Sequence, residues 1–285
     1  MSDARKRLTI PDLAAAKREG RRLAMISVPD FPMALGAERA GADMVVVGDS
    51  LGMTVYGHGN TLPVTMDQMV AHTQAVRRGA PETFCLVSMP YGSYATPEIA
   101  IANALRLMKE GGADAVKMQG GREKAAVIRA IADSGVPVMS HVGMCPHLMH
   151  HYGGFKLQGR TAAAALALIE DGKAVEASGA IGFEIEAVPA PVARAIDAAV
   201  QVFTFGIGAG DACTGQILLG ADLMGAFDAF KPKFAKRYAD VNAVAQKAFA
   251  DYVADVRGGG FPDADHSYSM NAEEQARLAE ALARA

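Results

Sequence analysis

The chain has 285 residues, of which 51% are hydrophobic and 21% charged, and it carries a net charge of −3. That balance suits a soluble globular protein and excludes the basic footprint of a nucleic-acid binder or a polybasic membrane patch. No apolar stretch approaches the roughly 18–20 residues that span a bilayer. The start, MSDARKRLTI, lacks the apolar centre of a secretion signal. Cys85, Cys145 and Cys213 lie far apart with no CxxC pair, which argues against a disulfide framework or a Cys-rich zinc site. A cytoplasmic protein is expected, without nucleic-acid or membrane partners.

Along the chain, short apolar runs alternate with amphipathic segments. The runs are LAMISV (23–28), DMVVVGD (43–49), FCLVSM (84–89), AVKMQ (115–119), PVMSHVG (137–143), GFEIEAV (182–188), QVFTFGIG (201–208) and, less sharply, QILLGAD (216–222). Most are continuous in Val, Ile, Leu and Met, as strands buried on both faces are. Between the third and fourth, TPEIAIANALRLMKEGG reads as a helix: Thr96 caps it, Pro97 suits its first turn, Gly111 closes it, and Ile101, Leu105 and Met108 form its apolar stripe. Eight strands alternating with helices point to a (β/α)8 TIM barrel, which takes about 250 residues; a doubly wound open sheet is the alternative. No linker interrupts the chain, so residues 1–285 read as a single barrel domain. Residues 232–285 form a charged helical C-terminal extension, broken at the glycines 258–260.

Barrel chemistry gathers where strands end. The polar residues there are Asp49 and Ser50 after the second run, Ser88 in the third, Lys117 and Gln119 in the fourth, His141 in the fifth and Glu186 in the sixth. Lys117 and Gln119 are two apart and so share a strand face. Asp49 is a candidate ligand for a hard divalent cation, Glu186 a candidate general base, and Lys117 a candidate partner for a carboxylate or a developing enolate. Glu184 has the parity of Glu186 but lies deeper, where it could be the buried partner of a lysine. GIGAG (206–210) is a phosphate loop or, preferably, a tight barrel turn. HVGMCPHLMHH (141–151) holds four histidines and a cysteine, yet no HExxH or paired-cysteine spacing. It reads as a mobile active-site loop with incidental histidines, with a zinc or copper site as the alternative.

VVVGDSLGMTVYGHGNTLPVTMDQMVAHTQAVRRGAP (45–81), GGFKLQGRT (153–161), EAVP (186–189), GIGAG with GQIL (206–218) and PKFAKRY (232–238) closely resemble the ketopantoate hydroxymethyltransferase family. The resemblance runs from about residue 8 to about residue 268. It implies a barrel of the phosphoenolpyruvate mutase type, assembled as a homo-oligomer, usually a decamer. It also implies transfer of a one-carbon unit from 5,10-methylenetetrahydrofolate to 2-oxoisovalerate, for pantothenate and coenzyme A biosynthesis. In that scheme Mg2+ chelates the 2-oxoacid and a glutamate removes its C3 proton. Carried over by motif, Glu186 is the base and Asp49 a metal ligand that meets the substrate. Ser50, Ser88, Lys117 and His141 are substrate contacts, with Lys117 holding the carboxylate.

Four positions depart from the family pattern. The aspartate of a D-x-P pattern is Ser88, the glutamate of VK-x-E-GG is Gln119, the aspartate before GQ is Thr214, and the tyrosine of a Tyr-Asp pair is Pro29, with Asp30 retained. All four read as clustered in the site, with Asp49 the one metal carboxylate kept and Ser88 and Gln119 doubtful neutral donors. Mg2+ binding is then expected to be weak and substrate-assisted. A lysine relieved of a nearby negative charge could also serve as a Schiff-base amine. Besides the family reaction, two alternatives stand: a divergent carbon–carbon bond-forming or -cleaving enzyme on a related 2-oxoacid, and a non-catalytic 2-oxoacid-binding paralogue.

Overall fold

The computed structural model describes residues 6–285. All eight apolar runs are strands: β1 (Leu23–Ser27), β2 (Met44–Val47), β3 (Phe84–Ser88), β4 (Ala115–Lys117), β5 (Val138–Gly143), β6 (Gly182–Glu186), β7 (Phe203–Ile207) and β8 (Gly215–Leu219). They close into one parallel barrel in chain order, β8 pairing back onto β1. The period of two divides each strand between two cores. Outward residues such as Val45, Val47, Val87, Val116 and Ile185 pack under the helices. Inward residues such as Met25, Met44, Leu86, Met139, Phe203 and Phe205 fill the barrel.

The interior is filled by pairing large residues with small ones. Phe203 and Phe205 meet edge to face with centroids 6.2 Å apart, and each buried ring contributes about 1.5–3 kcal/mol. Room for them comes from Gly182, where a Cβ would lie 2.6 Å from the Phe203 ring. The helix Ile10–Glu19, capped by Thr9 and Asp12 in a capping box, adds Leu13 and Ala16 to this inner cluster. It thereby closes the barrel end away from the strand C-termini. The side chains at those C-termini escape the apolar filling and turn into the mouth.

The structure corrects several local expectations. In the helix Pro97–Arg106, Thr96 and Pro97 act as expected, but the buried stripe is Ala100, Ala104 and Leu107, one residue before the expected one, and Leu105 is exposed. The alanines let the helix lie close to the sheet. Its last turn, Leu107–Gly111, is a π-turn that takes up one more residue, so Gly112 rather than Gly111 is the left-handed cap. No helix separates β7 from β8, which makes GIGAG a barrel turn. PKFAKRY (232–238) is not helical and belongs to the barrel unit, which ends at Tyr238; the second compact unit is Ala239–Ala285, so the extension starts later than expected. That unit holds the helices Val241–Gly258, capped by Asp240 and closed by Gly259, and Ala272–Arg284, capped by Asn271. Among the described residues no helix is long and apolar enough to cross a membrane.

Candidate active site

Strand register aligns the polar residues at the mouth. His141 on β5 lies opposite Glu184, Gly143 lies opposite Glu186, and Ser88 on β3 lies opposite Lys117. Asp49, Lys117, Gln119, His141, Glu184 and Glu186 line a polar well of about 60 Å³. Above it opens a cavity of about 230 Å³ with apolar walls that include Met53, Met144, Phe155, Phe230 and Phe234. Ser50 and Glu186 line both spaces. Ser88 lines neither: its single-carbon side chain ends buried, with the hydroxyl unpartnered, and so is not placed as a substrate contact.

The floor of the well is an ion pair. Lys117 Nζ donates to Glu184 Oε2 at 2.6 Å, and both side chains are under a tenth exposed. Burial pulls the Lys117 pKa down, but the charge and hydrogen bond of Glu184, with Asp49 and Glu186 beyond, outweigh it and hold the amine above its usual value. The negative charge expected to be missing near Lys117 is therefore supplied by Glu184. Lys117 is an ammonium at neutral pH, which sets aside the Schiff-base role. His141 stands between carboxylates, Nε2 at 3.2 Å from Glu186 Oε2 and Nδ1 at 3.6 Å from Glu184 Oε2. These are charge-contact distances without hydrogen-bond geometry, and both ring nitrogens are buried without a hydrogen-bond partner.

Glu186 is held from three sides. Its carbonyl accepts from Met144 N at 2.9 Å. The chain passes so close there that a Cβ on Gly143 (φ 90°) would lie 2.3 Å from Glu186 O. The next residue, Ala187, has φ 45°, a left-handed conformation unusual for alanine. It is fixed by Ala187 N donating to Ile207 O at 2.9 Å and Gln158 N donating to Ala187 O at 3.0 Å. Strain of this kind persists where the surroundings over-determine it, and it gathers at working sites.

The other side of the well is organised by His147, one of the histidines expected to be incidental. It sits on a 3-10 turn, Pro146–Leu148, and is buried, whereas His150 and His151 are exposed. Its Nε2 meets Asp49 Oδ2 at 2.6 Å, its Nδ1 meets the Tyr94 hydroxyl, and its backbone N donates to Gln119 Oε1 at 2.9 Å. Burial and the Asp49 charge push the Tyr94 pKa up, so Tyr94 stays a phenol. Asp49, as a carboxylate, can only accept, so the proton in the bond to it comes from His147 Nε2. Burial works to raise the Asp49 pKa, but the His147 hydrogen bond and charge, with the Lys117 ammonium, hold it below the usual carboxylate value.

These contacts bear on the expected magnesium. Asp49 and Gln119, two of its three implied donors, are engaged by His147, and Ser88 does not reach the well. Among the described residues no group of three or more His, Cys, Asp or Glu side chains is arranged to hold a metal ion. The donor set does not fit Mg2+. The departures also divide differently from the expectation. Gln119 lies in the well, but Thr214 lies away from it, exchanging hydrogen bonds with Thr204 below the strand ends. Asp30 is structural, accepting from Met33 N as cap of the helix Phe31–Arg39.

A family model described as ketopantoate hydroxymethyltransferase matches residues 7–264. The chain belongs to the ketopantoate hydroxymethyltransferase family. A 3-methyl-2-oxobutanoate hydroxymethyltransferase 1 of Methylibium petroleiphilum is 51% identical over 280 residues, covering 96% of this chain and 95% of that protein. A relative from Moorella thermoacetica, named 3-methyl-2-oxobutanoate hydroxymethyltransferase, is 47% identical over 266 residues, covering 93% and 98%. Family members are enzymes, hydroxymethyltransferases by name. Among solved structures, a phosphonopyruvate hydrolase has a TM-score of 0.60 at 13% identity, covering 95% of each chain. A 2,3-dimethylmalate lyase of the PEP mutase/isocitrate lyase superfamily has a TM-score of 0.57 at 14% identity, covering 96% of this chain and 98% of its own. At these identities the likeness shows the fold alone, a (β/α)8 barrel.

Proposed function

We propose that the chain transfers a one-carbon unit from 5,10-methylenetetrahydrofolate to C3 of 2-oxoisovalerate (3-methyl-2-oxobutanoate), giving ketopantoate for pantothenate and coenzyme A synthesis. The reading rests on Glu186, the carboxylate that lines both the polar well and the apolar cavity. A 2-oxoacid in the well presents its carboxylate and keto oxygen to the Lys117 ammonium and to His141, with Ser50 at the rim. Glu186 takes the C3 proton, and the negative charge that moves onto the keto oxygen is met by those preorganised donors. The enolate carbon then forms its new bond to the one-carbon unit, whose hydroxyl oxygen comes from water; both C–N bonds that held this carbon break, and the two nitrogens take up protons, leaving tetrahydrofolate.

The apolar cavity suits a flat pterin ring. Asp222 on its wall is buried, and that burial raises its pKa against the opposing Arg237 charge. It is a candidate acceptor for the pterin amino group. The test is product formation from 2-oxoisovalerate and 5,10-methylenetetrahydrofolate, followed by mass spectrometry. Ketopantoate is expected from the wild type and not from Glu186→Gln. A wild type that makes none contradicts the reading, and a different carbon–carbon product would favour the divergent alternative.

A further inference from the structure

We propose that His147 fills the cation position of this site from within the chain, so that the mouth of the barrel works without a bound divalent metal. The proposal rests on the reading of the well as a 2-oxoacid site. Its carrying observation is convergence: of the three positions the resemblance implies as metal donors, the two that reach the well both bond the same residue. Asp49 Oδ2 faces the His147 ring at 2.6 Å, and Gln119 Oε1 takes the His147 backbone N–H at 2.9 Å. The residue thus presents an N–H to each donor oxygen, where a cation would present positive charge.

His147 is held in that place. Tyr94 bonds the far side of its ring, the Tyr94 ring stacks at 5.8 Å and the Tyr91 ring meets its edge at 5.6 Å. Pro146 begins the 3-10 turn that carries it, and the Cys145 thiol donates to His141 O at 3.2 Å at the head of the turn. A cation approaching Asp49 must break a short bond to the imidazole and displace a ring fixed on several sides. In return it gains one protein carboxylate, whereas Mg2+ binds through carboxylates, waters and substrate oxygens in near-octahedral order. Gln119 matches the arrangement: a neutral amide oxygen accepts a peptide N–H without placing a second negative charge beside Asp49.

His147 is therefore a positioning residue. It holds Asp49 and Gln119 to one side of the well and leaves Lys117 and His141 as the groups that meet the oxygens of the substrate. The proposal also changes what is needed to rebuild a metal site. Restoring carboxylates by Ser88→Asp and Gln119→Glu does not suffice while His147 remains; the imidazole has to be removed as well.

Cation binding tests this without any turnover, using Mn2+ as the probe and the electron paramagnetic resonance signal of free Mn2+ as the readout. The full chain is titrated with and without 2-oxoisovalerate. The wild type is expected to leave the free signal undiminished at millimolar Mn2+ in both cases. Ser88→Asp/Gln119→Glu is expected to bind weakly, and the same pair with His147→Ala at least about tenfold more tightly. Stoichiometric wild-type binding in the micromolar range, in either titration, overturns the proposal. So does a carboxylate pair that binds as tightly with His147 as without it, or a folded triple variant that binds no Mn2+. The wild-type titration needs no variant, and circular dichroism checks that the others are folded. Failure to make ketopantoate would count against the proposed function and leave this result standing, and the converse also holds.

Discussion

Replacing Glu184 by Gln removes the negative half of the pair beneath the site and leaves the Lys117 ammonium buried. At the observed 2.6 Å, two unit charges in an effective dielectric near 20 attract by about 6 kcal/mol. That gross attraction opposes a desolvation cost of several kcal/mol per ion, so the intact pair contributes little net stability. Breaking it is different, because an uncompensated buried charge costs about 3–5 kcal/mol. For units of about 150–250 residues, which shift by roughly 2–4 °C per kcal/mol, this lowers Tm by about 6–20 °C. Urea and thermal unfolding of Glu184→Gln, Lys117→Met and the double variant form the cycle. The double variant is expected to regain most of the loss, since neither charge is then stranded. A Glu184→Gln cost below about 1 kcal/mol, as for an exposed pair, would refute the argument, as would two losses that simply add.

The same pair sets a pH dependence. The folded-state pKa of Lys117 lies above its ordinary value of 10.5, so its contribution is full below that value and is lost as pH rises through the folded-state one. The wild type should lose this stability in the alkaline range and Lys117→Met should show no such loss, read from denaturation midpoints across pH. Gly143→Ala forces a side chain onto a φ of 90° and against Glu186 O; a destabilisation of about 1–3 kcal/mol with a lower kcat is expected, and wild-type kinetics would contradict the placement of Glu186. Asp222→Asn should raise KM for the folate while leaving proton exchange at C3 of 2-oxoisovalerate intact; steady-state kinetics beside the exchange rate separate the two.

The strands were legible because a parallel barrel buries both faces, and a doubly buried strand writes itself as an unbroken apolar run. Lys117, Gln119, His141 and Glu186 were legible as interruptions of such runs with inward parity. What local pattern could not choose was which of two adjacent stripes a helix buries. Ile101, Leu105 and Met108 are the more apolar set, yet Ala100 and Ala104 are buried because small side chains permit close approach. Thr214 was misplaced because its motif continues from a strand end, whereas the connection from β7 descends to the start of β8. The role of His147 was hidden by distance. Its bond to Asp49 spans 98 residues of chain, and nothing in HVGMCPHLMHH marks which histidine turns inward. The partner of Lys117 was half visible, since Glu184 had the right parity but only barrel closure brings β4 and β6 within reach.

The central claim is that Glu186 removes the C3 proton of a 2-oxoacid held over Lys117 and His141. Its most direct measurement is proton exchange at C3 of 2-oxoisovalerate in deuterium oxide, followed by NMR without folate. Steady loss of the C3 proton signal with the wild type, and none above background with Glu186→Gln, is the predicted result. Exchange at the wild-type rate in Glu186→Gln would contradict the account.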